Sequence, residues 1–233
     1  MCSLSYIPHE GGFSLSHNRD ELPLRKTSSD IKHQEKADSS FYFPQDLQAG
    51  GTWMAANHKG MAACLLNGGS KDYLRKLPYR QSRGLVILEL MENADVESFK
   101  NSFDSNGIEP FTLIIAAEGR LVELVHNPNE DLWRDLDPNE AHFWSSTKLY
   151  APTIREAREK RFRKWLIQNP KAQAEDIQGF HLQEQISKSE GGLVLPKDFP
   201  LSTVSFCQFD KGTSSNTLLY LDRLNRSKDS VRW

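Results

Sequence analysis

Polar and apolar positions alternate with a period of two from the start of the chain. Cys2, Leu4 and Tyr6 stand against Ser3, Ser5 and Ile7, and Phe13 and Leu15 against Ser14 and Ser16. That period belongs to strands, and Gly11-Gly12 between the two runs supplies a hairpin turn. Cys2, at the start of the first strand, is therefore brought level with Asn18-Arg19-Asp20-Glu21 at the end of the second. From Leu22 to Ser40 the chain is polar and without period, which reads as a long loop. Phe41 to Pro44 reads as a short edge segment, and Gly50 to Ala56 as a close-packed strand entered through two glycines. Asn57-His58-Lys59-Gly60 is a turn by composition, and Met61 to Asn67 is the returning strand, closed by Gly68-Gly69.

The period then changes. Ser82 caps a helix carrying Leu85, Leu88 and Met91, and Asp95 to Phe103 forms a second with Val96, Phe99 and Phe103 at helical spacing. Strands resume at Phe111 to Ala117 and Leu121 to Val125, joined at Glu118-Gly119, with a short strand at His142 to Ser146. Thr153-Ile154-Arg155-Glu156 has the form of a capping box. It opens a charged helix with Ile154, Ala157, Phe162, Trp165 and Leu166 on one side, stopped at Asn169-Pro170. Lys171 to Gln178 predicts a further short helix before a Gly191-Gly192 loop, and Leu201 to Phe209 with Thr217 to Leu224 a closing antiparallel pair. The order strands, helices, strands, helices, strands fits an α+β fold: a four-layer αββα sandwich of two mainly antiparallel sheets flanked by helices. It is expected to be one domain over residues 1–233.

Composition narrows the function classes. With 38% hydrophobic and 26% charged residues and a net charge of −2, the chain has no overall basic excess to attract nucleic acid or anionic lipid. Local basic runs exist, at Lys71 to Arg83 and along Arg155, Arg158, Lys160, Arg161, Arg163 and Lys164. The first reads as a solvated loop, the second, with Glu156 and Glu159 interspersed, as a solvated helix face. No signal-like segment and no membrane-length apolar run is present, so the expected compartment is cytoplasmic. Three cysteines at wide spacing (Cys2, Cys64, Cys207) argue against a disulfide framework, and the scattered histidines show no metal spacing. No metal is expected.

Cys2 carries the chemistry. Removal of Met1 would leave it with a free thiol beside a free α-amine. Their unperturbed pKa values, about 8.5 and about 7.7–8, let the amine take the thiol proton near neutral pH. Nucleophile and base would then share one residue, as in N-terminal threonine sites. Cys2 has a second reading as a small buried hydrophobe, the one preferred for Cys64 and Cys207.

Met1-Cys2, the Asn18-Arg19-Asp20-Glu21 tetrad, Gly50-Gly51-Thr52-Trp53, Asn57-His58-Lys59-Gly60 and Leu65-Leu66-Asn67-Gly68 together resemble the NRDE family, to which the animal transport and Golgi organisation protein belongs. Ile108-Glu109-Pro110-Phe111-Thr112 and Trp144-Ser145-Ser146-Thr147 extend the likeness over most of the chain. The resemblance implies a fold related to N-terminal nucleophile hydrolases, with a layout similar to the choloylglycine hydrolase and penicillin V acylase group. It implies catalytic roles for four residues: Cys2 attacks a non-peptide amide, Arg19 holds the thiolate or orients substrate, Asp20 binds the new α-amine, and Asn67 donates to the oxyanion. Asn18, Trp53 and Ser146 are the implied substrate contacts. The group's second asparagine falls near Ser145-Ser146, where serine stands, and its late arginine has no counterpart in Leu201 to Phe209. Arg19 with Asp20 also reads as a structural ion pair, and Asn67 as a turn residue. The partner implied is a small molecule, with no external cofactor required. The alternative is a non-catalytic binding or trafficking protein on the same fold, handling haem or an acyl lipid.

Overall fold

A computed structural model describes residues 2–36, 39–71, 73–195 and 200–233. Along the chain, strands β1 (Cys2–His9), β2 (Gly12–Glu21), β3 (Thr27–Lys36), β4 (Ser39–Asp46), β5 (Met54–Asn57) and β6 (Ala62–Asn67) precede helices α1 (Arg83–Asn93) and α2 (Val96–Ser102). Next come β7 (Phe111–Ala117), β8 (Arg120–Asn127), β9 (Glu130–Leu136) and β10 (His142–Ser145), then α3 (Pro152–Gln168) and α4 (Ala174–Leu182). A 3-10 turn at Lys188–Glu190 leads to β11 (Ser202–Lys211), β12 (Asn216–Asp222) and β13 (Ser227–Arg232). The architecture is α+β, two antiparallel sheets with flanking helices.

The chain divides into two compact units. The first, the residues up to Leu24 with Asn139–Arg232, holds a six-stranded sheet in the order β10-β1-β2-β11-β12-β13. Both faces of β1 and β2 are buried from Cys2 to Ile7 and from Phe13 to Glu21. Helices α3 and α4 cover one of them through Phe162, Ile177 and Phe180, packed with Ile7 and Leu193.

The second unit, Arg25–Pro138 with Trp233, holds a seven-stranded sheet in the order β3-β4-β5-β6-β7-β8-β9. Val86, Ile87, Leu90 and Phe99 of α1 and α2 bury themselves against Phe41 and Leu113 of that sheet. Ser82 and Asp95 cap the two helices as the sequence predicts. The docking of α1 is glycine on glycine. A Cβ built on Gly51 would lie 2.5 Å from the Gly84 carbonyl carbon, and the Thr52 N–H donates to the Gly84 oxygen at 3.1 Å.

The differences from the sequence expectation lie at sheet edges and helix starts. The segment Leu22 to Ser40, read as a loop, contains β3, a ten-residue strand. It lies at a sheet edge with only Ser28 and Ile31 buried, so it shows no apolar period. The run Phe41 to Pro44 is consequently not an edge segment but part of β4, flanked by β3 and β5. Strands β9 and β13, which carry no apolar alternation, are likewise edge strands with polar, partly exposed faces. The capping box at Thr153 does not form: α3 starts two residues earlier, with Ala151 rather than Thr153 at the N-cap, no side-chain cap and Pro152 in the first turn, where its missing N–H costs nothing. The helix expected from Lys171 begins at Ala174 instead, and there Asp176 accepts from the Gln173 N–H at 2.9 Å. Among the described residues no helix is long and apolar enough to cross a membrane.

Because the atoms facing Gly51 are backbone and cannot rotate away, Gly51→Ala is expected to destabilise the protein by about 1–3 kcal/mol, the usual cost of overpacking. Urea unfolding measures this. A change of a few tenths would show that α1 does not dock through this contact.

Candidate active site

Strand pairing sets the site. In the β1–β2 ladder Cys2 lies opposite Arg19, and in the β2–β11 ladder Arg19 lies opposite Ser205. The Ser146 N–H donates to the Cys2 carbonyl at 2.9 Å, so Ser146, Cys2, Arg19 and Ser205 form one row across four neighbouring segments. Alternation along a strand then puts Ser3, Asn18 and Asp20 on the opposite face. Cys2 is only 2% exposed. Burial pushes its thiol above the ordinary range, and the negative charge of Asp20 acts in the same direction.

Asp20 is fully buried. Its Oδ1 accepts from the Thr203 hydroxyl at 2.5 Å, and its Oδ2 accepts from the Tyr150 hydroxyl. A register shift between Thr203 and Ser205 lets β11 present Thr203 to Asp20 while Ser205 stays level with Arg19. Burial raises the Asp20 carboxyl above its usual range, opposed by the two hydroxyls and by the charge of Arg158. Arg158, in the middle of α3, is also fully buried. Its guanidinium lies 3.7 Å from the centre of the Tyr150 ring, Nη1 donates to Ser3 Oγ at 2.8 Å, and Nε donates to the Gly192 carbonyl at 3.0 Å.

Asn18 serves the same face in another way. Its Nδ2 donates to the carbonyls of His181 at 2.9 Å and Leu193 at 3.3 Å, tying β2 to the end of α4 and the following loop. Its Oδ1 lies 2.8 Å from His181 Nδ1, which therefore carries the proton, leaving Nε2 to accept from Ser5 Oγ at 2.8 Å. Burial, with the charges of Arg161 and Arg158, lowers the His181 pKa to about 3.

Trp53 and Asn67 belong to the second unit. Trp53 is buried just before β5 and its carbonyl accepts from the Leu65 N–H at 3.0 Å. Asn67 ends β6 opposite Phe111, followed by Gly68 at φ +97°. The basic run in this unit is largely paired: Lys71 with Glu130 at 2.7 Å, Arg80 with Asp104 at 3.1 Å, and Arg75 and Arg83 with Glu109 at 3.4 and 3.3 Å. No group of three or more His, Cys, Asp or Glu that could hold a metal ion occurs among the described residues.

In the first unit the structure thus gathers Cys2, Asn18, Arg19, Asp20 and Ser146. It adds Tyr150, Thr203 and His181, which sequence reasoning passed over, and Arg158, which the sequence placed on a solvated helix face but which is fully buried. A signal for the last existed, since Arg158 lies four residues after Ile154 and four before Phe162, on the apolar stripe of α3. At the same end of the sheet as Asp20 a cavity of about 760 Å³ opens, with Thr203 in its wall beside Ile186, Val194, Leu195, Lys188 and Arg226.

The profile of the family described as Transport and Golgi organisation 2 matches residues 1–228. A sequence search of curated proteins finds no match. Among solved structures, two variant forms of the conjugated bile acid hydrolase from Clostridium perfringens are similar at a TM-score of 0.66 and 10% identity, over 99% of this chain and 92% of theirs. Penicillin V acylase from Agrobacterium tumefaciens reaches 0.63 at 12% identity, over 99% of this chain and 86% of its own. The Caenorhabditis elegans ortholog of N-acylethanolamine-hydrolyzing acid amidase reaches 0.58 at 10% identity, over 89% and 92%. At such identities the likeness is one of fold, that of the N-terminal nucleophile hydrolases.

The His181 network gives a pH signature. An unfolded histidine titrates near 6.5 and the folded one near 3, so in that window the unfolded state holds the extra proton and stability falls as pH falls. Urea unfolding from pH 7 to pH 4.5 should show this loss, and His181→Gln should flatten it. An unchanged slope in the variant would assign the loss to other groups.

Proposed function

Since the chain belongs to the Transport and Golgi organisation 2 family and has the fold of N-terminal nucleophile hydrolases, we propose that it hydrolyses a non-peptide amide through an acyl-enzyme on Cys2. The observation that carries the reading is the pairing of Cys2 with Arg19 in one ladder, with the buried Asp20 carboxylate next along the strand. Burial alone keeps the Cys2 thiol protonated, so the reaction needs a base, and the α-amine released by removal of Met1 is the base the chain itself supplies.

In that scheme the amine takes the thiol proton and Sγ attacks the carbonyl carbon. Arg19 steadies the thiolate and Asp20 the resulting ammonium. Asn67, assigned by its motif, and a backbone N–H hold the oxyanion. The C–N bond breaks as the ammonium returns its proton to the leaving amine, leaving a thioester. Water, deprotonated by the same amine, then releases the carboxylic acid and restores the thiol. Ser146, near where the choloylglycine hydrolase group has its second asparagine, and Trp53 are the remaining proposed substrate contacts; Asn18, expected to be a third, has its amide spent on His181 and Leu193 and holds the strand instead.

A second reading, binding of haem or an acyl lipid without turnover, is favoured by the cavity, whose mixed wall sets Ile186, Val194, Leu195 and Leu224 beside the cations Lys188 and Arg226, with Glu184 paired to Arg223, and so suits an amphiphilic anion. Titration with hemin and with a fatty acid tests it, and no saturable binding of either removes it.

The hydrolase reading is tested by intact-mass analysis after brief treatment with a limiting thiol electrophile at pH 7. Protein lacking Met1 should label selectively at Cys2 over Cys64 and Cys207, and protein retaining Met1 should label more slowly than a free cysteine peptide. Cys2→Ala should reduce turnover of simple N-acyl amides to background. Turnover that survives this substitution would end the proposal.

A further inference from the structure

Arg158 heads the described fully buried side chains by volume, a charged group in a place where burial needs compensation. Its contacts supply that only in part. Nη1 and Nε are spent on Ser3 Oγ and the Gly192 carbonyl, while Nη2 is buried without a hydrogen-bond partner among the described residues. A buried guanidinium edge left without an acceptor is costly, so Arg158 is a poor device for stability alone. Its guanidinium plane covers the Tyr150 ring, and the Tyr150 hydroxyl donates to Asp20. One cation therefore touches β1 next to Cys2, through Ser3, and reaches β2 next to Arg19, through Tyr150.

The charges around this pair come from every packed element. Among the described residues, the groups that act on Asp20 are Arg158 of α3, Tyr150, the Cys2 thiol and, from the 3-10 turn, Lys188. Around Arg158 lie Arg161 on its own helix, Lys188, and His181 of α4, which is neutral near pH 7. Thr203 of β11 adds a dipole but no charge.

We propose that Arg158, acting through Tyr150, is a positioning residue that keeps Asp20 a carboxylate and fixes it where the α-amine of Cys2 must be held, so that helix α3 is part of the working site. The inference rests on the hydrolase reading for the role of Asp20, but not for its own measurement. Without Arg158 the carboxylate loses a buried counter-charge, Asp20 takes up a proton at higher pH, and a neutral Asp20 no longer retains the ammonium.

The test is a carbon-13 NMR titration of aspartate-labelled full-length protein, with the Asp20 carboxyl signal assigned through Asp20→Asn, and thermal unfolding recorded in parallel. In Arg158→Gln the Asp20 midpoint is expected to rise by about one pH unit or more, the size expected for loss of a nearby opposite charge. Arg158→Lys should restore most of the shift. Tyr150→Phe should also raise the midpoint, through loss of its own hydrogen bond to Asp20, and Arg158→Met, which keeps the packing of the stem without the charge, decides the question where Arg158→Gln does not fold. An unmoved midpoint in the variants that fold, with only a lower melting temperature, overturns the proposal and leaves Arg158 structural. The titration uses no substrate: absent amide turnover in the parent protein defeats the hydrolase reading while a shifted midpoint still establishes the Arg158–Tyr150–Asp20 coupling.

Discussion

A carboxylate without exposed surface has to be given donors and counter-charge by the protein, and in the first unit Asp20 draws much of the local structure into that task. Thr203 comes from β11, Tyr150 from the segment between β10 and α3, and Arg158 from α3 itself. The shift in register at Thr203/Ser205 is the backbone's part, since without it β11 could not serve Asp20 and stay level with Arg19.

The same strand has two duties because strand side chains alternate. One face of the β1–β2 hairpin presents Cys2 and Arg19. The other anchors the hairpin to the helices: Ser3 to Arg158, Ser5 and Asn18 to His181, and Asp20 to Tyr150. The tetrad Asn18-Arg19-Asp20-Glu21 is thus not four equivalent contacts to one ligand. Asn18 holds α4 and the loop at Leu193 through two backbone carbonyls, and Arg19 shares the Cys2 row. Cys2, at a strand end, is only as well placed as the strand, and these buried bonds are what fix it.

The second unit is chemically plainer. The Gly51–Gly84 contact brings α1 onto the sheet at backbone distance, and acids on neighbouring segments pair most of the positive charge of the Lys71 to Arg83 run. That run, read from composition as a solvated loop, is largely occupied with its own unit.

What the sequence by itself determined is local. The period of two and Gly11-Gly12 dictate the hairpin, and with it the meeting of Cys2 and Arg19. Ser82 and Asp95 mark the starts of α1 and α2, because a cap needs only its own next few residues. The motifs in order were enough to indicate the family. Tertiary structure decided what depends on distant partners. β3 and β13 are strands because a neighbour offers backbone donors and acceptors, which polar edge residues do not announce. α3 begins at Pro152 with Ala151 as its N-cap, so the Thr153 box, complete in the sequence, goes unused. Arg158 reads as one more cation on a charged helix, and only its burial against Tyr150 and Ser3 turns it into the counter-charge of Asp20. A sequence carries periodicity and local capping in its own order, but the environment of a buried charge is set by residues more than a hundred positions away, and only the folded chain brings them together.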